Sequence, residues 1–351
     1  MFVGGAIGDA LGAPIETWTP EKVAEVHGGP IERYVSALGH KWFKADEFPI
    51  GSTTDDTQLT LATAKGLIAG HKLGGVDFTL YMDAIAQEHC AAMTNSTAGW
   101  GGSTKDSIRN LQNNVHWKDS GKTDNPHRGT GNGVPMKIAP LGAWSASPVG
   151  NQAIIDHNKT RGYIDDTDNF TQFCVSYSAM THYSKMSASA GVLMAHTVGT
   201  LFKQRIQSWL PDMWMEIMDD SNPAASHDIS YLNDTEDDIL QQFSALQGHV
   251  LMHDGDVDTE STDKLFGDGS CYVYHSLPFT FARFLKEQSF QGLLDIVNAG
   301  GDTDTNGSMY GQLLGALHGT SIFPDWAVEG LVGYNEIAET AERFCDTFEI
   351  K

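Results

Sequence analysis

Apolar residues recur at helical spacing along most of this 351-residue chain. Gln58–Ala69, Phe78–Met93, Phe170–Thr181, Ala188–Phe202, Asp238–Met252, Tyr272–Leu285, Phe290–Val297, Met309–Leu317 and Trp326–Phe348 each predict a helix. Runs alternating with period two are scarce, so a sheet-based core is not expected and the predicted fold class is all-α. Glu32–Leu38 fits an extended segment and a helix equally. Three polar stretches, Asn113–Thr130, Ser145–Asp168 and His253–Ser270, predict loops. None is biased enough for a domain linker, and no internal repeat is visible. The two most unusual segments lie near residues 55 and 303, at opposite ends of the chain. If they build one site, residues 1–351 close on themselves as a single domain.

Charge narrows the function. The 45 acidic and 22 basic side chains give a net charge of −23. Such a surface repels phosphate backbones and anionic membranes, so neither nucleic-acid nor membrane binding is expected. No apolar run reaches the ~18 residues that a transmembrane helix needs. The start, MFVGGAIGDALG, lacks a basic region followed by a long apolar stretch, so no signal peptide is expected there. Cys90, Cys174, Cys271 and Cys345 form no C-x-x-C pair. They are expected to be reduced core residues of a cytoplasmic protein.

Two segments carry more carboxylates than structure alone requires. Ser52-Thr53-Thr54-Asp55-Asp56-Thr57 precedes the helix expected from Gln58. One N-cap needs one such residue, and adjacent carboxylates repel unless a cation or donors offset them. Asn298-Ala299-Gly300-Gly301-Asp302-Thr303-Asp304-Thr305-Asn306-Gly307 has the same character ahead of another helix. Asp302 and Asp304 would splay by about 200° on a helix, but converge in a tight turn, for which Gly300 and Gly301 supply the backbone freedom. The donors are all hard oxygens, which suits Mg²⁺, Mn²⁺ or Ca²⁺ rather than zinc or copper. A helix ending at Gly12 would aim Asp9 and Glu16 toward one end. Gly307, Gly311, Gly315 and Gly319 form a four-residue repeat, expected to make a flat face for close helix packing.

Together, GDALGAPIE, STTDDT and NAGGDTDTNG resemble the ADP-ribosylglycohydrolase family. Gly99-Trp100-Gly101-Gly102-Ser103-Thr104, the run from Arg128 to Leu141 (RGTGNGVPMKIAPL) and Thr181-His182 agree with it. The resemblance spans about residues 4 to 320. It implies a compact orthogonal multi-helix domain with a binuclear centre of two Mg²⁺ (or Mn²⁺). It places Thr54, Asp55, Asp56, Asp302, Asp304 and Thr305 as metal ligands, with Glu16 near a metal or the substrate. The chain departs from the common pattern at Lys137, where arginine is usual, and at Tyr183-Ser184-Lys185, which lacks a proline.

The implied chemistry is cleavage of a glycosidic bond at C1″ of ADP-ribose through an oxocarbenium-like transition state. Asp55, Asp56, Asp304 and Glu16 are the catalytic candidates. Gly101, Gly102 and Ser103 precede a helix expected at Thr104–Leu111, whose N-terminus suits a phosphate. Gly129, Thr130, Gly131 and Asn132 form a second phosphate-type loop, and His182 is a further contact to ribose or phosphate. The expected activity is removal of ADP-ribose from a modified protein, most directly from arginine, because an acidic rim attracts a guanidinium. Serine-linked and small-molecule conjugates are the alternatives. A different class is a binding protein that occludes an ADP-ribosyltransferase, for which −23 suits a basic partner. Two motifs fail on inspection. Gly121-Lys122-Thr123 has His116 where a P-loop needs glycine. Asp254-x-Asp256-x-Asp258 has Thr259 and Leu265 where a calcium loop needs glycine and glutamate.

Overall fold

The structure is a computed structural model describing residues 1–350 apart from 76, 96, 126–127, 162–166, 205–228, 254–255 and 268. It is all-helical, with no β-strand among the described residues and two isolated bridges, Gly131 with Tyr272 and Ser184 with Asn233. The helices are α1 (Phe2–Gly12), α2 (Pro20–His27), α3 (Asp55–Lys72), α4 (Phe78–Asn95), α5 (Gly102–Gln112), α6 (Trp117–Ser120), α7 (Ala139–Ala146), α8 (Pro148–Arg161), α9 (Thr167–Thr181) and α10 (Lys185–Gln204). After the 205–228 segment come α11 (Ile239–Met252), α12 (Thr259–Phe266), α13 (Val273–Lys286), α14 (Phe290–Val297), α15 (Thr303–His318), α16 (Asp325–Glu329) and α17 (Tyr334–Phe348). None of the described helices is long and apolar enough to cross a membrane.

The centre of the fold is the crossing of α1 and α15. FVGGAIGDALG is small or apolar on every side, and each of its residues is buried. A helix of that pattern is stable only when packed all round. Its glycines meet those of α15 backbone to backbone. A Cβ on Gly8 would lie 2.0 Å from the Gly307 carbonyl oxygen, and one on Gly4 would lie 2.2 Å from that of Gly311. Gly315 packs against Met1 in the same way. Gly319 does not share this face; it ends α15 with φ of 76°. One cluster of buried apolar side chains extends from Met1 to Phe348 around this crossing, with Trp144, Tyr81, Tyr177 and Tyr310 among its largest members.

Several boundaries differ from the sequence expectation for identifiable reasons. Ser145–Asp168 was expected as a loop, yet α8 occupies Pro148–Arg161. Pro148 opens the helix, and the Ser147 hydroxyl accepts from Gly150 N at 2.9 Å, a proline-plus-serine start. Few apolar residues mark it because, beside Ala153 and Ile154, its packing is done by Gly150 against Trp144 and by His157, which stacks on Phe78 at 4.1 Å. Residues 162–166 of that expectation lie outside the described residues. Trp326–Phe348 is two helices rather than one, separated at Gly330 and Gly333, the latter at φ of 80°. The Asn113–Thr130 and His253–Ser270 loops contain α6 and α12. Asp258 caps α12 by accepting from Glu260 N, while Asp254 of the rejected calcium loop lies outside the described residues. Glu32–Leu38 is irregular. Of the cysteines, all four are free, but only Cys174 is fully buried and Cys271 is exposed.

The α1–α15 contact gives a direct prediction. Gly8→Ala forces a methyl group into backbone that has no flexible side chain to yield, at a cost of about 3 kcal/mol or more. Urea denaturation should show that loss, whereas Gly29→Ala, where a Cβ meets nothing within 4 Å, should change stability by under about 0.5 kcal/mol.

Candidate functional site

Both carboxylate segments sit at helix N-termini, and the α1–α15 crossing brings them together. Asp55 and Asp56 occupy the first turn of α3 after Thr54. Asp302 is the N-cap residue of α15, and Asp304 lies in its first turn. The backbone amides and positive dipole end there favour negative charge. Gly300 and Gly301 both have positive φ, 91° and 79°, so the turn before Asp302 is the glycine turn that the sequence predicts. Thr305 Oγ1 donates to Asp56 Oδ2 at 3.2 Å, joining positions 249 residues apart. Thr17 N donates to Gly301 O at 2.8 Å, which holds Glu16 beside the same turn. Oxygens of Glu16, Asp302 and Asp304 lie within 4.8 Å of one another.

One cavity of about 370 Å³ collects these groups. Glu16, Asp55, Asp56, Asp302, Asp304 and Thr305 line it, with Gly101, Gly102, Ser103, Thr130, Gly131, Asn132 and His182. Thr54, whose hydroxyl donates to Asp9 Oδ1 at 2.9 Å, and Gly129 are not among the lining residues. Gly129 N donates to Ser103 Oγ at 3.0 Å, tying the second glycine loop to the start of α5. Asn132 Nδ2 donates to Asp302 Oδ2 at 2.8 Å, so that loop also orients a carboxylate.

Three residues that the sequence reading names but gives no role in the site contribute to it. Asp9 is fully buried beneath α3 and accepts four bonds, from the backbone N and hydroxyl of both Thr54 and Thr57. It therefore fixes the turn that presents Asp55 and Asp56. Its signal was GDALG itself, an acid inside an apolar helix. Arg128 is the one cation among the lining residues. Its guanidinium covers Gly102, where a Cβ would lie 1.6 Å from Nη1. Lys137 is fully buried, and its Nζ donates to Thr181 Oγ1 at 2.9 Å. The same Thr181 hydroxyl is hydrogen-bonded to His182 Nδ1 at 3.1 Å. Burial holds His182 neutral, with its pKa pushed down to about 3. Its Nε2 faces the glycine loop, where a Cβ on Gly133 would lie 2.9 Å from that atom.

The sequence matches the ADP-ribosylglycohydrolase family over residues 1–350. The chain belongs to the ADP-ribosylglycohydrolase family. It is 22% identical over 326 residues to the ADP-ribosyl-[dinitrogen reductase] glycohydrolase of Rhodospirillum rubrum, covering 92% of this chain and 86% of that protein. It is 24% identical over 343 residues to the uncharacterized protein YegU of Escherichia coli K12, covering 91% and 86%. An ADP-ribosylglycohydrolase-related protein complex of known structure superposes with a TM-score of 0.57 at 21% identity, covering 99% of this chain and 95% of that one. Membership supports hydrolysis of ADP-ribose conjugates.

The cavity's carboxylates are under electrostatic load. Burial, then the charges of Asp302, Asp55 and Asp9, pushes Glu16 up to about 9. Burial and Asp9 push Asp55 up to about 7. Asp56 and Asp304 are likewise raised, first by burial and then by their acidic neighbours. Asp56 Oδ1 is buried without a hydrogen-bond partner. An all-oxygen donor set, an orphaned buried carboxylate oxygen and mutual repulsion fit hard divalent cations.

This load predicts a pH dependence in chelator. Unfolded carboxylates ionise near pH 4, whereas the folded ones hold protons to about 7 and about 9. At these groups the folded state binds more protons across that window, so they make stability fall as pH rises. Buried Lys137 and the amino terminus, held below their ordinary values by burial, act in the opposite sense, so the test is a comparison. In EDTA the urea midpoint should fall more, or rise less, from pH 5 to pH 9 in the wild type than in Glu16→Gln, and identical profiles would contradict the account.

Proposed function

We propose that this protein is a metal-dependent hydrolase that releases ADP-ribose from arginine side chains of modified proteins, with residues 1–351 acting as one domain. The convergence of Glu16, Asp302 and Asp304 within 4.8 Å, beside the unpartnered Asp56 oxygen, carries this reading. In it, Thr54, Asp55, Asp56, Asp302, Asp304 and Thr305 hold two Mg²⁺ or Mn²⁺ ions. Such ions supply Lewis acidity that orients ribose hydroxyls and makes water nucleophilic at neutral pH.

The chain's own residues do the rest. Asp55, Asp56, Asp304 and Glu16 orient the water and move its proton. The α5 N-terminus at Gly101, Gly102 and Ser103 offers backbone amides to the diphosphate. Arg128, covering Gly102, adds charge-assisted donors. The loop of Thr130, Gly131 and Asn132 closes over the ribose side, and His182 presents Nε2 to the ribose or a phosphate. The net charge of −23 favours a cationic leaving group and a basic protein around it. Free thiols at all four cysteines suit a cytoplasmic location.

Incubation with defined ADP-ribosyl linkages tests this. ADP-ribose should be released from arginine-linked protein in Mg²⁺ or Mn²⁺, and release should cease with excess EDTA. Asp302→Ala with Asp304→Ala should cut release by about 100-fold or more while the protein still unfolds cooperatively. Full release in EDTA would refute the metal, and release from serine-linked substrate alone would refute the linkage.

A further inference from the structure

Lys137 is fully buried, a place that lysine almost never takes without a partner. Burial, outweighing the attraction of Asp55, pushes its pKa down to about 7. Methionine would fill nearly the same space without burying a polar group, so shape alone does not account for the amine. Among the described residues, its one side-chain hydrogen bond runs from Nζ to Thr181 Oγ1 at 2.9 Å. An amine donates in either protonation state, so this contact does not depend on the charge. Tyr177 holds the residue from α9: its hydroxyl donates to Lys137 O at 3.3 Å, and its ring centroid lies 5.9 Å from Nζ.

Lys137 ends a tight turn over residues 132–137, in which Met136 N donates to Asn132 O at 3.3 Å and Lys137 N to Val134 O at 3.1 Å. The turn meets His182 on two flanks. Gly133 passes against the ring, where a Cβ would lie 2.7 Å from Cε1. Lys137 reaches the opposite flank through the Thr181 hydroxyl, which lies 3.1 Å from His182 Nδ1. Thr181 is the last residue of α9. A threonine hydroxyl in a helix readily turns to the carbonyl four residues earlier. The Lys137 donor holds it at His182 instead. Ser107 Oγ bonds both Ser103 O at 2.9 Å and Thr181 O at 3.0 Å, so Thr181 is also tied to the first turn of α5.

We propose that Lys137 is a positioning residue, which acts through Thr181 to fix the His182 ring in the orientation that meets the ribose or a phosphate of ADP-ribose. The inference rests on the function proposed above and deepens it, because it gives the affinity of the cavity for its ligand a source outside the cavity. Lys137 touches no ligand itself. Its loss frees Thr181 and with it the ring, so ligand affinity falls while the carboxylate cluster stays in place.

Lys137→Met removes the donor at nearly constant volume. In saturating Mn²⁺ it should weaken ADP-ribose binding, measured by calorimetry, by about tenfold. KM should rise by a similar factor, with kcat within about twofold and Mn²⁺ binding not weakened. In a His182→Ala background the same substitution should change ADP-ribose affinity by under about twofold, because its route is already gone. Thr181→Val, which removes the middle of the link, should reproduce the loss. An equal loss from Lys137→Met with and without His182 would overturn the inference, as would unchanged ADP-ribose affinity in both Lys137→Met and Thr181→Val. The imidazole ¹⁵N signals of His182, assigned by their absence in His182→Ala, should shift in ligand-free Lys137→Met. Those of the other histidines, apart from His89, which also faces Lys137, should hold and so report an intact fold. Unshifted His182 signals would overturn the inference. Shifted signals in a protein whose wild type binds no ADP-ribose would leave the link to His182 standing and sink the hydrolase reading instead.

Discussion

The backbone-to-backbone contact of α1 with α15 governs the rest of the molecule. It exists only because glycines face one another at Gly8 and Gly307 and at Gly4 and Gly311. Glycine in a helix interior costs about 1 kcal/mol relative to alanine, so several such residues in two helices must be offset by what the close approach provides. Here it provides burial of two helices along almost their whole length and a fixed relation between their active ends. Thr303 Oγ1 donates to Gly12 O at 2.9 Å, locking the end of α1 to the start of α15. Asp9 then lies under α3, and Glu16 lies beside Asp302 and Asp304.

From that arrangement follows an electrostatic tension. Five carboxylates line a cavity of about 370 Å³, with Asp9 buried behind them. Helix N-termini, Asn132 and the threonine hydroxyls offset part of the repulsion, yet burial still raises Glu16, Asp55, Asp56 and Asp304. Such a cluster is costly as a purely structural device, because replacing any one acid would relieve it. A catalytic site that must attract cations and present several oxygens at once has a reason to keep it. Neutral His182 lines the same cavity, and buried Lys137 supports it from behind through Thr181.

Much of this was legible in the sequence. The carboxylate runs, the glycine turn at Gly300 and Gly301 and the two glycine loops announce themselves by composition, since no ordinary cap or turn needs so many special residues together. Most helices were legible too, because their apolar stripes face one contiguous core. What escaped notice depends on tertiary contact. Asp9 reads as one polar residue in an apolar helix, and only folding reveals four donors around it. Arg128 and Lys137 look like ordinary cations until one covers Gly102 and the other is found buried beside Thr181. The α8 helix was missed because it is polar and part of its packed face is Gly150 and His157, which carry no apolar signal. The placement of loop 38–50 was illegible because irregular segments have no period, and only folding sets His40 against Glu16.

The central claim is that the four aspartates and Glu16 form a centre for two divalent cations. Calorimetric titration of chelator-treated protein with Mn²⁺ tests it without any substrate. The account predicts two ions bound per chain, with Asp302→Ala and Asp56→Ala each weakening or abolishing binding, by about 10–100-fold at the least. Absence of Mn²⁺ binding, or binding indifferent to both substitutions, would contradict it.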